Sequence, residues 1–319
     1  MIIDELLNDV ETVAIFGHVR PDGDCAGSTL AIYNYIQDNY PKIKADIFLE
    51  PFPKCYEVLR GASSAQKTFG PESNNGKPYD LAFLLDTPTF DRVGANGEAC
   101  IKAAKKTCNI DHHISNPLNL CTKNFVEPDA SSASEVLFFL LDANRISKET
   151  ANCLYLGIVH DTGAFKFSCT SKRTMNVVGE LIEKRVDFSK IINETYYTRT
   201  YRQTVVTGFI MQNCKMALND KVVYSYITQE DIDRFNVPPV ELHNVIDTIR
   251  EVGGTEVALF LYPVNGKYKI SLRSNYVVDV NKVAKEFGGG GHMRAAGGDT
   301  DDIPEIAIPK ILDVIAKQL

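Results

Sequence analysis

The 319-residue chain lacks the features that mark several broad classes of protein. No stretch approaches the run of about 18 apolar residues that a membrane-spanning helix needs. The N-terminal segment, "MIIDELLNDVE", is acidic and has no basic region ahead of an apolar core, so no secretory signal peptide is expected. Positive charge is in deficit, with 34 Lys and Arg against 41 Asp and Glu and a formal net charge of -7. That balance argues against a broad basic face wrapping long duplex DNA or RNA. It leaves room for a small phosphorylated substrate held at a local site. None of the eight cysteines (Cys25, Cys55, Cys100, Cys108, Cys121, Cys153, Cys169 and Cys214) forms a C-x-x-C pair, which disfavours a zinc knuckle. Most sit inside apolar runs, where a thiol behaves as a small hydrophobe, and the expectation is a reducing, cytoplasmic compartment. Internal repeats and low-complexity segments are also missing.

What is present is an ordinary globular composition, 44% apolar and 24% charged, in a chain long enough for one large or two medium domains. The first half alternates apolar runs with helix-like segments. "TVAIFGH" (12–18), "ADIFLE" (45–50), "YDLAFLLDT" (79–87) and "TCNIDHH" (107–113) read as strands. Gly23–Asn39, "SASEVLFFLLDAN" (132–144) and "KETANCLYLGIVHDTG" (148–163) have helical spacing. Near-continuous apolar strands separated by helices predict an α/β fold, a parallel sheet covered by helices on both faces. Residues 186–206 break the pattern and read as a linker helix. A second region follows, in which "TEVALFLYPV" and "KYKISLRS" flank Asn265-Gly266 as a hairpin. The expected division is 1–185, 186–206 and 207–319, with a smaller α/β second domain and an active site in the cleft between the two.

Acids and histidines collect where ligands collect in open parallel sheets, at the carboxyl ends of strands. His18, Asp22 and Asp24 follow "TVAIF", Asp86 follows "LAFLL", and Asp111-His112-His113 follow "CNI". Asp161 follows the apolar run "LYLGIV", and the same position is expected for it. Any one such Asp is ordinarily a cap or turn residue. Their joint occurrence, and the self-repulsion of Asp22-Gly23-Asp24, call for positive charge. Five Asp and two or three His could hold two divalent cations with one bridging carboxylate. Mixed nitrogen and oxygen donors suit manganese better than calcium or a thiolate zinc, with magnesium or cobalt as alternatives. Such a pair hydrolyses phosphate esters without needing a cysteine.

"HVRPDGD", "LLDT", "DHH" and "VHDTG" resemble, in order and spacing, the four motifs of the DHH phosphoesterase superfamily, and "GGGGHMRAAG" (288–297) resembles the glycine-rich signature of its DHHA1 domain. The length and two-domain layout are similar to the stand-alone bacterial nanoRNase and pAp-phosphatase type. The resemblance implies that His18, Asp22 and Asp86 hold one metal, and that Asp24, Asp86, His112 and Asp161 hold the other. It implies that His113 acts at the scissile phosphate and that Asp111 orients the histidines. It further implies that Arg273, Ser274, Gly289, Gly290, Gly291, His292 and Arg294 meet the substrate. The implied substrates are short RNA oligonucleotides and nucleotide bisphosphates, with no long duplex and no membrane as partner and a homodimer as one oligomeric option. Relatives that act on cyclic-dinucleotide products such as pApA, on pyrophosphate or polyphosphate, or on single-stranded DNA are the rival enzymes. A metal-binding regulator without catalysis is the rival of another class.

Bland readings stand beside these. "GGGGH" could be a turn closing a helix, though four glycines exceed what a cap needs. "SASE" is a capping box, with Ser132 as cap and Glu135 reaching back to it. His160 is a packing or hydrogen-bonding residue before it is a ligand. Tyr196, Tyr197 and Tyr201, near Arg199 and Arg202, are expected to pack rather than to stack on bases. His243 is expected on a surface helix.

Overall fold

The computed structural model describes residues 1–319 apart from 67–69, 71–72, 94–96 and 243, so the expectation for His243 lies outside the described residues. The chain divides into two compact units, Met1–Thr198 and Arg199–Leu319.

The first unit is built on a six-stranded, all-parallel sheet of β1 (Thr12–Phe16), β2 (Lys44–Phe48), β3 (Ala65–Gln66), β4 (Leu81–Leu85), β5 (Lys106–Asp111) and β6 (Lys123–Val126). Its helices are α1 (Ile2–Leu6), α2 (Gly23–Asn39), α3 (Gly97–Ala103), α4 (Ala133–Leu140), α5 (Lys148–Asp161), α6 (Lys172–Glu183) and α7 (Phe188–Ile192). The strand order is β3-β2-β1-β4-β5-β6. The chain therefore winds outward from β1 in one direction and returns to its other side at β4. The crevice beyond the carboxyl ends of β1 and β4 is the switch point of the sheet, where open α/β sheets bind ligands. Both strands are buried on both faces, which is why "VAIF" and "LAFLL" carry no polar alternation.

One close helix crossing shapes this crevice. A Cβ on Gly27 of α2 would lie 2.6 Å from the Cys153 carbonyl oxygen of α5. One on Gly157 of α5 would lie 2.0 Å from Ser134 Oγ and 2.4 Å from Asp24 Oδ1. Two glycines thus let the helices approach backbone to backbone and leave the Asp24 carboxylate its space.

The second unit holds α8 (Tyr201–Gln212), α9 (Gln229–Phe235), α10 (Val245–Ile249), α11 (Val280–Lys285) and α12 (Pro304–Ala316). Its six-stranded mixed sheet runs β11-β12-β10-β9-β8-β7, from β7 (Lys215–Ala217), β8 (Val222–Tyr226), β9 (Val257–Val264), β10 (Lys267–Ser274), β11 (Gly290–His292) and β12 (Ala295–Thr300). β9 and β10 form the hairpin around Asn265-Gly266, both with positive φ, as a tight two-residue connection demands. The stretch 186–206 is not one helix. It contains α7, a π-turn at Asn193–Tyr197, extended backbone at Thr198, and the start of α8, capped by Thr200.

Candidate metal centre

The β1–α2 loop delivers the first group. Asp22 is the N-cap of α2 and accepts from the backbone N–H of Asp24 and Cys25, both at 3.1 Å. Asp22 is thus held as a helix cap beside His18. His18 is buried, and its Nδ1–H donates to the Val19 carbonyl at 2.9 Å, which leaves Nε2 facing Asp22 Oδ1 at 3.6 Å and Asp86 Oδ2 at 3.5 Å.

The second group faces the other oxygen of Asp86. His112 Nδ1 donates to the Ala130 carbonyl at 3.3 Å. Its Nε2 then lies 3.0 Å from Asp161 Oδ2, 3.7 Å from Asp86 Oδ1 and 4.0 Å from Asp24 Oδ2. In both histidines a backbone carbonyl fixes the tautomer and ring orientation that a metal ligand requires. Asp24 is fully buried, and the N-terminus of α4 meets its carboxylate: Ala133 N–H donates to Oδ2 at 2.6 Å and Ser134 N–H to Oδ1 at 3.0 Å.

Asp161 is not at a strand end, as the sequence suggested. It is the last residue of α5. The run "LYLGIV" is buried all round beneath its neighbours, so its apolar continuity imitates a strand. A carboxylate at a helix C-terminus opposes the helix dipole and is favoured there only by nearby positive charge.

Asp86 is the pivot. It is 2% exposed, has φ of +51°, and its Oδ1 finds no hydrogen-bond donor among the described residues. A buried carboxylate oxygen without a donor is costly. Burial, joined by the charges of Asp22 and Asp161, pushes Asp86 up to about 6. Burial, then Asp86 and Asp161, holds Asp24 well above the usual carboxylate range. Burial opposes protonation of His112, but the bond to Asp161 and the charges around it prevail and raise it to about 11. His18 is raised as well against its burial, through Cys25, Asp22 and Asp86. These shifts share two causes, burial and negative charge crowded into a small space. Among the described residues three side-chain sets could hold a metal ion: His18, Cys25 and Asp86; Asp86, His112 and His113; Asp24, His112 and Asp161; Asp22 is in none of them. The orphaned oxygen and the donor chemistry fit a pair of cations sharing Asp86.

Supporting groups surround these. Asp111 Oδ1 accepts the His112 N–H at 2.8 Å and lies 2.7 Å from His113 Nδ1. Asn116 donates to Asp111 Oδ2 at 2.7 Å and to Asn109 Oδ1 at 2.8 Å. Asn109 in turn donates to the carbonyls of Leu84 and Thr87, at 3.1 and 3.2 Å, on either side of Asp86. Sequence reasoning missed both asparagines. An Asn inside the apolar strand "TCNID" was the available signal. It also missed Cys25, whose thiol accepts the His18 N–H at 3.2 Å.

His160 belongs to none of the three sets. Its ring packs edge-on against Tyr56 and Tyr196, with Nε2 3.1 Å from Thr195 Oγ1, and burial lowers it to about 4. A Cβ on Gly23 would lie 2.1 Å from this ring, so His160 buttresses the glycine between Asp22 and Asp24. Tyr197 packs on Tyr196, Tyr201 is exposed, and Arg202 pairs with Glu241 at 2.8 Å.

In the second unit the glycine run has a structural account. Gly288, at φ of +66°, makes the turn after α11. A Cβ on Gly289 would lie 2.0 Å from the Gly297 carbonyl oxygen, and one on Gly291 would lie 2.5 Å from that of Ala295. These two residues are pressed against β12, while Gly290 has ordinary space. His292 is exposed at the end of β11. Arg273 Nε donates to Asp247 at 2.9 Å. Ser274 is fully buried; its hydroxyl donates to the Val278 carbonyl at 2.6 Å and accepts from Arg294, which also donates to the carbonyls of Val278 and Tyr276. Ser274 and Arg294 thus hold the 274–278 loop to the glycine segment.

The sequence model of the DHH family, N-terminal domain, matches residues 12–158, and that of the DHHA1 domain matches residues 219–319. The bifunctional oligoribonuclease and PAP phosphatase NrnA of Mycoplasma pneumoniae is 28% identical over 90% of this chain and 87% of its own. Its namesake in Bacillus subtilis is 26% identical over 90% and 88%. The crystal structure of an exopolyphosphatase-related protein from Bacteroides fragilis, 24% identical, superposes over 99% of this chain and 94% of that one with a TM-score of 0.90, so the fold is shared. The match of both domains, in this order over most of the chain, places the protein in the DHH–DHHA1 phosphoesterase family.

Proposed function

We propose that the protein is a cytoplasmic, manganese-dependent phosphoesterase that hydrolyses very short RNA oligonucleotides to mononucleotides and 3′-phosphoadenosine 5′-phosphate to AMP. The observation that carries this reading is Asp86, whose two oxygens face two separate groups of imidazole and carboxylate donors. The substrate classes are supported by relatives named for those two activities.

In this reading His18, Asp22 and Asp86 hold one ion, and Asp24, Asp86, His112 and Asp161 hold the second. Divalent ions held there would supply charge to neutralise the phosphoryl oxygens and would make water a nucleophile near neutral pH. The chain's own part is to set the donors in advance. Asp111 holds the Nδ1 side of His113, so His113 Nε2 is the atom that gives a proton to the phosphoryl or leaving oxygen. Residues 1–185 carry this chemistry, 186–206 connect, and 207–319 grip the substrate. His292 is the phosphate contact and Arg273 its neighbour in function, while Gly289, Gly290, Gly291, Ser274 and Arg294 shape the segment that presents it.

One activity panel tests the assignment: the protein with manganese against RNA of two to five nucleotides, pAp, pApA and pyrophosphate. Release of mononucleotides from the RNA and of AMP from pAp is expected. Hydrolysis of pyrophosphate alone would replace this reading with a pyrophosphatase, and no hydrolysis of any member would leave a metal-binding protein.

A further inference from the structure

The segment from Ala130 to Glu135 does more than start a helix. Ser132 caps α4 by accepting the Glu135 N–H at 3.0 Å, as the sequence suggested. The Glu135 carboxylate does not complete the capping box. It is fully buried and turns to the preceding residue: Oε2 accepts the Ser131 N–H at 3.2 Å and the Ser131 hydroxyl at 2.5 Å. The same oxygen accepts the Thr174 hydroxyl of α6 at 2.8 Å, and Arg173 Nε of that helix lies 3.2 Å from Oε1. Arg173 also pairs with Glu127 and lies over the Phe139 ring. A buried carboxylate thus ties the loop before α4 to the start of α6 through three hydrogen bonds and an ion pair.

The backbone held by this clamp touches two side chains of the metal centre. The Ala130 carbonyl, one residue before Ser131, accepts from His112 Nδ1. The Ala133 and Ser134 N–H groups, two and one residues before Glu135, donate to the two oxygens of Asp24. The nearest polar contacts of His18 and Asp22, by contrast, come from the Val19 carbonyl of the β1–α2 loop and from the backbone N–H groups of Asp24 and Cys25 in the first turn of α2. The clamp therefore grips the side chains on one side of Asp86 directly, and meets the other side only through the Asp24 backbone N–H that caps onto Asp22.

We propose that Glu135 is a positioning residue for the second cation alone, acting through the Ala130 carbonyl on His112 and through the α4 N-terminus on Asp24. This rests on the two-ion reading above. Loss of a group that orients metal ligands typically weakens metal affinity 10–100-fold, and here that loss falls on one ion of the pair.

The experiment is a manganese titration of the full-length protein, followed by electron paramagnetic resonance of free Mn2+, on wild type, Glu135→Ala, Glu135→Gln and Ser131→Ala. Wild type should bind two ions. Glu135→Ala should weaken one of them about 10–100-fold, Ser131→Ala less, and Glu135→Gln least, because an amide oxygen still accepts from Ser131. Combination with reference variants identifies the ion affected. Added to His112→Ala, Glu135→Ala should cause little further loss, whereas added to His18→Ala the losses should sum. Equal weakening of both ions, summed losses with His112→Ala, or an affinity unchanged in Glu135→Ala would each overturn the proposal. If Glu135→Ala does not fold, Ser131→Ala and Glu135→Gln in the same combinations decide it. Fewer than two ions in wild type would fail the two-ion reading itself, and the proposal with it.

Discussion

Asp80 and Asp86 stand at the two ends of the same five-residue strand, β4, and are held in opposite ways. Asp80, before the strand, accepts the N–H groups of Glu11 and Thr12 and the Thr12 hydroxyl on Oδ2, and the Lys105 ammonium on Oδ1. The Lys105 bond, followed by those backbone bonds, lowers it to about 2. Asp86, after the strand, is buried, adopts a left-handed backbone conformation, leaves Oδ1 without a donor and is raised to about 6. Strain of that kind costs on the order of 1–3 kcal/mol and persists where the surroundings enforce it. The Asn109 bonds to Leu84 and Thr87 are that enforcement. The amino end of the sheet is built for stability, and the carboxyl end gives stability up in return for a waiting charge.

The largest effect should come from Asp86→Ala. Hydrolysis should be all but abolished, since the ligand proposed to be shared by both ions is lost. The metal-free protein should melt no lower than wild type, because a buried, unsatisfied carboxylate has been removed. A fall of many degrees in the metal-free melt would erase the contrast with Asp80. Next, the two adjacent histidines should separate. His113→Ala should cut turnover about 10²–10⁴-fold with both ions retained, and His112→Ala should lose an ion. Inductively coupled plasma analysis of the two purified variants distinguishes them, and equal metal loss would contradict the split. His292→Ala, in the second unit, should raise KM several-fold with metal content unchanged; a KM equal to that of wild type would remove it from the substrate.

The smallest effect on activity belongs to Asp80. Asp80→Ala should leave metal content and turnover intact while costing about 2–3 kcal/mol in urea unfolding, as for hydrogen bonds to a charged group. The pH dependence has a definite sign. A folded-state pKa depressed below the ordinary value near 3.8 contributes stability that is present above that value and lost as pH falls through about 2. The wild-type advantage over Asp80→Ala should therefore vanish in strong acid. An advantage constant across that range would assign it to packing.

Much of the first unit was legible because its strands are continuous apolar runs and its polar residues stand at their ends. Gly23–Asn39 was readable as α2 from its cap and spacing, and the hairpin from Asn265-Gly266. β6 was not read, because "KNFV" is a half-buried edge strand without a sustained apolar pattern. β3 has two residues, too few for any period. Asp161 was placed at a strand end, although 148–163 was read as helical, because an acid follows the apolar run "LYLGIV" as acids follow the strands; Thr150–Val159 is buried throughout, so the run alone does not mark the element. Glu135 looked like a local cap because the motif is local, whereas its partners on α6 lie 38 and 39 residues further on. Two members of the glycine run are demanded by the close approach of β12, which its motif did not disclose. Long-range packing of that sort leaves no trace in spacing.

The metal-binding side chains grouped around Asp86 among the described residues run from His18 to Asp161 and belong to the first of the two units. During synthesis this has a temporal consequence. When the ribosome has added Asp161, about half of the chain is still to be translated, a matter of roughly 10–30 s at about 5–20 residues per second. The residues proposed to hold the ions are then all in the nascent chain, before any residue of the glycine segment exists. Metal capture can accompany the folding of that unit and help to drive it. The order of translation would thus let the reactive centre be assembled and charged well before the segment proposed to bring substrate to it has been made.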